Sequence, residues 1–134
     1  MIEPIWLDSP MVRAMHAQAT WFFGGSDGLR DRGLLESALS KPKNFYAYEP
    51  VMDIFSLASF YVTGLVQDLP FIDANECVAI IAANSFLNLN SYIFCPTEKD
   101  LANTIMNVDA GQTSDAELSI WLRDCSKKNI AFLE

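Results

Sequence analysis

Side chains that commonly carry out catalysis or bind metals are scarce in this sequence. His16 is the only histidine. Because no second ligand lies three or four residues away, we expect it to be a packing or capping residue rather than a zinc ligand. Cys77, Cys95 and Cys125 form no Cys-x-x-Cys pair and are predicted to be buried thiols in a reducing cytoplasm. No Gly-x-Ser-x-Gly turn is present. The sequence therefore predicts no catalytic residue, no metal site and no cofactor.

Long hydrophobic runs and excess basic charge are also missing. No apolar run approaches the ~20 residues of a membrane span, and Met1–Pro4 lacks the basic start of a signal peptide. We therefore expect a cytoplasmic protein without membrane contact. Nine basic residues against 17 acidic ones give a net charge of -8, which repels nucleic-acid phosphates. An acidic surface suits a basic protein partner, although the charge could serve solubility alone.

What the sequence does contain is helical periodicity along one domain, residues 1–134, with no repeat or linker. Helices are predicted from Ser9 to Phe22, Asp31 to Ser40, Asp53 to Gln67 and Asn75 to Leu89, and after capping boxes at Thr97 and Ser114. The fold class is all-α, a bundle of about six helices around a buried central helix.

The stretch Asn75–Leu89 is apolar on every helical face, which predicts that it is the central helix. Substituting Ile81 by aspartate should then unfold the domain. Lys41–Pro50 shows no clear period and is predicted to be a loop or short flap. Strands are at most marginal, near Ile5 or within the flap at Phe45–Tyr48.

The segment before the predicted central helix is the most informative. A proline-containing turn, Leu69-Pro70-Phe71-Ile72-Asp73-Ala74-Asn75, leads directly into the helix N-terminus. Free backbone N–H groups and the positive end of the helix dipole form anion-site geometry there. The alternative is that Asp73 or Asn75 simply caps the helix.

This segment, extended to Glu76 and Cys77, resembles the His-Pro-Phe-x-Asp-Gly-Asn-Lys-Arg motif of the Fic/Doc superfamily, and of its Doc branch in particular. Phe23–Leu39 and Phe86–Asn90 are also similar to that branch, so the likeness covers roughly residues 10 to 92. The resemblance implies a Fic/Doc-like helical bundle and a place in toxin–antitoxin systems.

The motif departs from the family pattern at its chemically important positions. The resemblance places the general base at Leu69, which cannot accept a proton, and the phosphate-binding lysine and arginine at Glu76 and Cys77. The glycine that lets amides close on phosphate is Ala74, whereas the aspartate and asparagine persist as Asp73 and Asn75. Each lost positive unit is worth about 3 kcal/mol at ~5 Å and an effective dielectric of ~20, more than the ~0.3–1 kcal/mol of a helix dipole. Binding of nucleotide is predicted to be lost.

These departures predict a catalytically inactive Doc-like protein that binds another protein, such as a basic toxin or effector, as an antitoxin, immunity protein or regulatory partner. The possible binding residues are Asp73, Asn75 and Glu76. We expect Glu76 to contact the partner or to pair internally with Arg30 or Arg32. The alternative is a nucleotide- or phosphate-transferring enzyme with altered residues, using Asp68 or Asp73 as base. A further alternative is a homologue with no function beyond folding.

Overall fold

Six helices and one small sheet make up the fold in this computed structural model, which describes residues 3–130. In chain order they are α1 (Ser9–Phe23), α2 (Arg32–Tyr48), α3 (Ile54–Asp68), α4 (Asn75–Leu89), β1 (Tyr92–Phe94), α5 (Glu98–Asp109), α6 (Asp115–Asp124) and β2 (Ser126–Lys128). The prediction of a six-helix bundle around a buried helix is confirmed. Within residues 3–130, no helix has both the length and the apolar composition needed to cross a membrane.

Side-chain caps begin five of the helices, as the sequence indicates. The capping residues, each accepting a backbone N–H bond, are Asp8, Asp31, Asp53, Thr97 and Ser114. The pair Ser114 and Glu117 forms a full reciprocal capping box. Such caps satisfy N–H groups that have no acceptor within the helix, and each typically stabilises by about 1 kcal/mol.

The central helix is α3, and the prediction that Asn75–Leu89 occupies the centre is wrong. All residues from 57 to 66 of α3 are buried. In α4, by contrast, Ile81 is only half-buried, and Asn84 and Asn88 are exposed. Helix α4 packs directly against α3 and covers one of its sides.

Polar residues inside α3 explain why its central place is hard to recognise in the sequence. Ser59 donates to the Ser56 carbonyl at 2.6 Å, and the Thr63 hydroxyl donates to Asp115 Oδ1 at 2.7 Å. Both are buried, because a hydroxyl bonded within the protein loses little on leaving water. A Cβ on Gly64 would lie 3.3 Å from the Ala38 carbonyl oxygen, so the missing side chain lets α2 approach closely.

The predicted flap at Lys41–Pro50 is wrong, because α2 continues through Pro42 to Tyr48. A proline inside a helix costs about 3 kcal/mol. Here tertiary contacts offset that cost. Phe45 stacks on Phe60 with ring centroids 4.3 Å apart, and Tyr46 packs edge-on against Trp6 at 5.4 Å.

The sheet does not include Ile5 or Phe45–Tyr48, the two places where marginal strands were predicted. β1 and β2 pair antiparallel, from Tyr92 opposite Lys128 to Phe94 opposite Ser126. Neither Ile5 nor Phe45–Tyr48 is a strand. The expectation of buried thiols is also wrong, since Cys95 is exposed and Cys77 and Cys125 are half-buried.

Burial of Tyr61 makes the stability of the folded protein depend on pH in the alkaline range. The residue is fully buried, and its hydroxyl accepts a hydrogen bond from Leu7 N at 3.0 Å. Burial, partly opposed by this bond, raises the Tyr61 pKa from 10.0 to about 12. Between these values the unfolded chain releases a proton that the folded chain keeps, so stability is present below pH 10 and falls as pH rises towards 12. We expect a loss of about 2–3 kcal/mol over this window.

Urea denaturation at several pH values tests this expectation. Tyr61→Phe should lack this part of the alkaline loss. Tyr48→Phe is the matched control, because Tyr48 is 91% exposed, and its profile should follow the unmodified protein. If the free energy of unfolding falls equally at alkaline pH in all three proteins, Tyr61 is not the source of that loss.

Candidate functional site

The loop from Leu69 to Ala74, between α3 and α4, begins and ends in left-handed backbone. Leu69 has φ 49° and ψ 56°, and Ala74 has φ 62° and ψ 29°. Neither residue is glycine, so each conformation costs roughly 1 kcal/mol. Contacts outside the loop must therefore hold it in place.

The first of these contacts is a short backbone pairing with the segment that precedes α2. The amides of Arg30 and Asp31 both donate to the Pro70 carbonyl, at 2.7 and 3.0 Å, and Ile72 N donates to the Gly28 carbonyl at 3.1 Å. This arrangement is an isolated antiparallel bridge. Two segments about 40 residues apart along the chain thereby fix each other.

The Arg30 side chain adds a second contact. Its Nε donates to the Leu69 carbonyl at 2.7 Å, and Nη2 donates to the Asp68 carbonyl at 2.9 Å. These carbonyls lie at the C-terminus of α3, where the helix dipole is negative and a guanidinium is favourable. Arg30 therefore caps α3, a role that nothing in the local sequence indicates.

His16 holds the loop from the α1 side. Its ring is 1% exposed and stacks on Phe71 with centroids 3.9 Å apart. Nε2 lies 2.7 Å from the Asp73 carbonyl oxygen, which can only accept, so Nε2 carries the proton. Nδ1 lies 3.8 Å from Asp27 Oδ1. The prediction of a packing role is confirmed, and the structure adds that this packing fixes the motif loop.

Asn75, predicted as a possible binding residue, is buried, and its side chain bonds to the loop itself. Its Oδ1 accepts from Phe71 N, and its Nδ2 donates to the Phe71 carbonyl, both at 3.0 Å. The side chain is 5% exposed. Both polar ends of the amide are used within the protein, so its role is to close the loop.

Asp73 is exposed at the surface of the loop, but its oxygens are already engaged. Oδ1 accepts from Ala74 N at 2.9 Å, and Oδ2 accepts from Ser26 N at 3.3 Å. A Cβ on Gly25 would lie 3.0 Å from Oδ2, so this glycine permits the close approach. The expectation that Asp73 or Asn75 caps α4 is wrong. The N-cap is Ala74, without a side-chain cap.

Glu76 and Cys77 lie half-buried in the first turn of α4. The expected internal ion pair of Glu76 with Arg30 or Arg32 is wrong. Between residues 3 and 130 the basic and acidic side chains within 4.0 Å of each other are His16 with Asp27 and Arg123 with Asp124, and Arg30 is bound to carbonyls instead. Burial, together with the negative charge of Glu76, raises the pKa of the Cys77 thiol. Glu76 therefore has no basic neighbour in contact among the described residues.

Exposed apolar side chains occur both on this acidic loop and at the end of α1. Leu69 is 43% and Ile72 59% exposed, and the end of α1 presents Trp21, Phe22 and Phe23 at 71–82% exposure. Phe22 and Phe23 border an open cavity of about 250 Å³ between α1 and α4, whose floor includes Ile81. We call these five exposed residues and the carboxylates of Asp73 and Glu76 the motif face. The aromatic part of this face is not recognisable from the sequence, because a Trp-Phe-Phe run is typical of a core.

Among residues 3–130, no three His, Cys, Asp or Glu side chains cluster so as to hold a metal ion.

The site and fold together define a helical protein with a Pro-Phe-x-Asp loop leading into a buried helix. The chain belongs to the Fic/DOC family, whose sequence model matches residues 6–87. It is also 28% identical over 97 residues to a protein named Toxin Doc from Mycolicibacterium smegmatis, covering 71% of this chain and 75% of that protein.

Proposed function

We propose that this chain is a catalytically inactive Fic/Doc-type protein that acts by binding another protein through its motif face. The observation that carries the proposal is Leu69. It occupies the position of the family's general base, its side chain accepts no proton, and it is 43% exposed beside Ile72. A side chain that cannot take a proton but can bury apolar surface favours association over catalysis.

The charge of the motif face indicates the chemistry of the partner. Asp73 and Glu76 lie on it, and the protein carries a net charge of -8. Exposed apolar side chains together with carboxylates that contact no basic side chain among residues 3–130 suit a basic segment with one apolar side, because apolar burial then adds to charge attraction. A basic toxin or effector fits this description, with the present chain as its antitoxin, immunity protein or regulator.

The alternative, an enzyme with altered residues, needs a new base and an anion site. The candidate bases are Asp68 and Asp73, and the Asp73 carboxylate is held against the loop because its oxygens accept from Ser26 N and Ala74 N. Glu76 adds negative charge at the helix N-terminus where a phosphate would lie. Both features oppose phosphate chemistry at this loop.

Nucleotide binding separates the two readings. Titrating ATP with magnesium into the protein should give no heat of binding in a calorimeter at concentrations up to the millimolar range. As a matched variant, Glu76→Lys returns one basic side chain to the motif and should still not bind, since Cys77 remains. A micromolar dissociation constant for the unmodified protein would favour the enzyme.

Partner binding tests the proposal itself. Glu76→Lys should weaken binding of the physiological partner more than tenfold, while the melting temperature stays the same. Glu49→Lys makes the same charge change just beyond the end of α2, about 20 Å away along α3, and should bind like the unmodified protein.

Affinity capture from the native host with these three proteins provides the measurement. The partner should be retained by the unmodified protein and by Glu49→Lys and depleted with Glu76→Lys. Retention that is equal for all three would remove the support for a binding role of Glu76. Equal losses with both lysine variants would indicate a general charge effect instead of a defined face.

A further inference from the structure

Two thiols lie opposite each other just beyond the end of the small sheet. The last registered pair of the ladder is Phe94 opposite Ser126. In the same register the next pair is Cys95 opposite Cys125, and Cys95 N donates to the Cys125 carbonyl at 2.8 Å. Cys125 N donates to the Trp121 carbonyl instead of returning a bond to Cys95, so the pair makes one of the two bonds of a regular ladder pair. The Cα atoms of a regular pair lie about 5.5 Å apart, and disulfides typically span about 4.4–6.8 Å.

The two thiols differ in their access to solvent. Cys95 is exposed, whereas Cys125 is half-buried at the C-terminus of α6. Burial raises the pKa of the Cys125 thiol, and the negative charges of Asp100, Asp124 and the Cys95 thiolate raise it further. Cys95 is therefore the thiol more open to an oxidant from solution, whereas burial and nearby negative charge disfavour the Cys125 thiolate.

We propose that Cys95 and Cys125 form a reversible disulfide when the protein meets hydrogen peroxide. The Cys95 thiolate attacks one peroxide oxygen, so that an S–O bond forms, the O–O bond breaks, and hydroxide leaves. Cys125, once deprotonated, attacks the Cys95 sulfur, the S–S bond forms, and a second hydroxide leaves. The released protons convert both hydroxides to water. Two thiols are oxidised and one peroxide is reduced to two waters.

The bridge would close the chain segment that contains α5 and α6. Helix α6 is anchored to the core by Leu118 and Leu122, both 0% exposed, whereas α5 has Val108 as its one buried residue. A disulfide stabilises mainly by restricting the unfolded chain, and a loosely anchored helix inside the loop gains most. We expect the oxidised protein to melt about 5–10 °C higher and to resist proteolysis within α5.

The full chain, first reduced, tests this directly. After treatment with hydrogen peroxide and alkylation of the remaining thiols, mass spectrometry should show a monomer in which the Cys95 and Cys125 peptides are linked. The rise in melting temperature should reverse with dithiothreitol. Oxidation should be faster at mildly alkaline pH, because the first step needs the Cys95 thiolate and the second needs the Cys125 thiolate.

Serine variants supply the controls. Cys95→Ser should fold normally, since that side chain is exposed, and should lose both the bridge and the rise in melting temperature. Cys77→Ser should keep both, because Cys77 lies on α4 outside the pair. An intermolecular dimer through Cys95, or a sulfinic acid at Cys95 with Cys125 still open to alkylation, would overturn the proposal.

Discussion

Replacing Leu65 with aspartate is expected to abolish cooperative folding, while the same replacement at Ile81 leaves a folded protein. Leu65 is 0% exposed near the C-terminal end of α3, and an unpaired charge there costs several kcal/mol on top of the lost apolar contacts. That sum approaches the whole stability of a domain, about 5–15 kcal/mol. Ile81 borders an open cavity, so a carboxylate there reaches water.

Alanine variants give the same comparison on a measurable scale. Leu65→Ala should lower the free energy of unfolding by about 3 kcal/mol. Leu89→Ala is the control, because Leu89 is 39% exposed, and its loss should be below about 1 kcal/mol. Urea denaturation followed by circular dichroism measures both. If Ile81→Asp unfolds the protein as Leu65→Asp does, α4 is central after all.

Asn75 is the motif residue whose loss should cost the most stability. Asn75→Ala leaves the N–H and the carbonyl of Phe71 without partners in a buried site, at roughly 1–3 kcal/mol each. We expect the free energy of unfolding to fall by about 2–4 kcal/mol. Asn84→Ala, an exposed change on the same helix, should cost little.

The isosteric variant Asn75→Asp distinguishes the two hydrogen bonds, because the introduced carboxyl can donate only when it is protonated. A carboxylate still accepts from Phe71 N, but its second oxygen faces the Phe71 carbonyl and repels it. The neutral acid can donate there, so folding raises the pKa of this carboxyl. The stabilisation is present at acid pH and is lost as pH rises. Urea denaturation at pH 4 and pH 7 should show this loss of stability.

A loss below about 0.5 kcal/mol in the free energy of unfolding for Asn75→Ala, with weakened partner binding, would make Asn75 a binding residue instead.

The motif therefore contains residues of two kinds. Phe71 and Asn75, with His16 and Arg30 from outside, hold the loop in shape. Leu69, Ile72, Asp73 and Glu76 line its outer surface. The loop shape can be kept with or without catalysis, because the contacts that hold it involve carbonyls, amides and a buried ring. This separation allows the outer side chains, such as Leu69 and Glu76, to differ from the family motif while the loop keeps its shape.

The helix starts were predictable because each depends on neighbouring residues alone. The Asp8 cap and the Ser114–Glu117 capping box can be recognised from residues within one helical turn. The apolar period of each helix likewise appears in its own sequence. The changed chemistry at Leu69, Glu76 and Cys77 was equally visible, because it concerns the identity of side chains. Packing of His16 followed from its isolation from other ligands.

Burial and pairing were decided by the tertiary structure. The sequence could not show that α2 continues through Pro42, because the compensating contacts come from Phe60 and Trp6. The sequence could not show that α3 is more buried than α4. Ser59 and Thr63 look like surface residues in the sequence, but their hydroxyls form hydrogen bonds inside the protein. The same limit hid the exposure of Trp21–Phe23 and the burial of Asn75. A side chain's type is local, whereas its exposure depends on which distant segments pack against it.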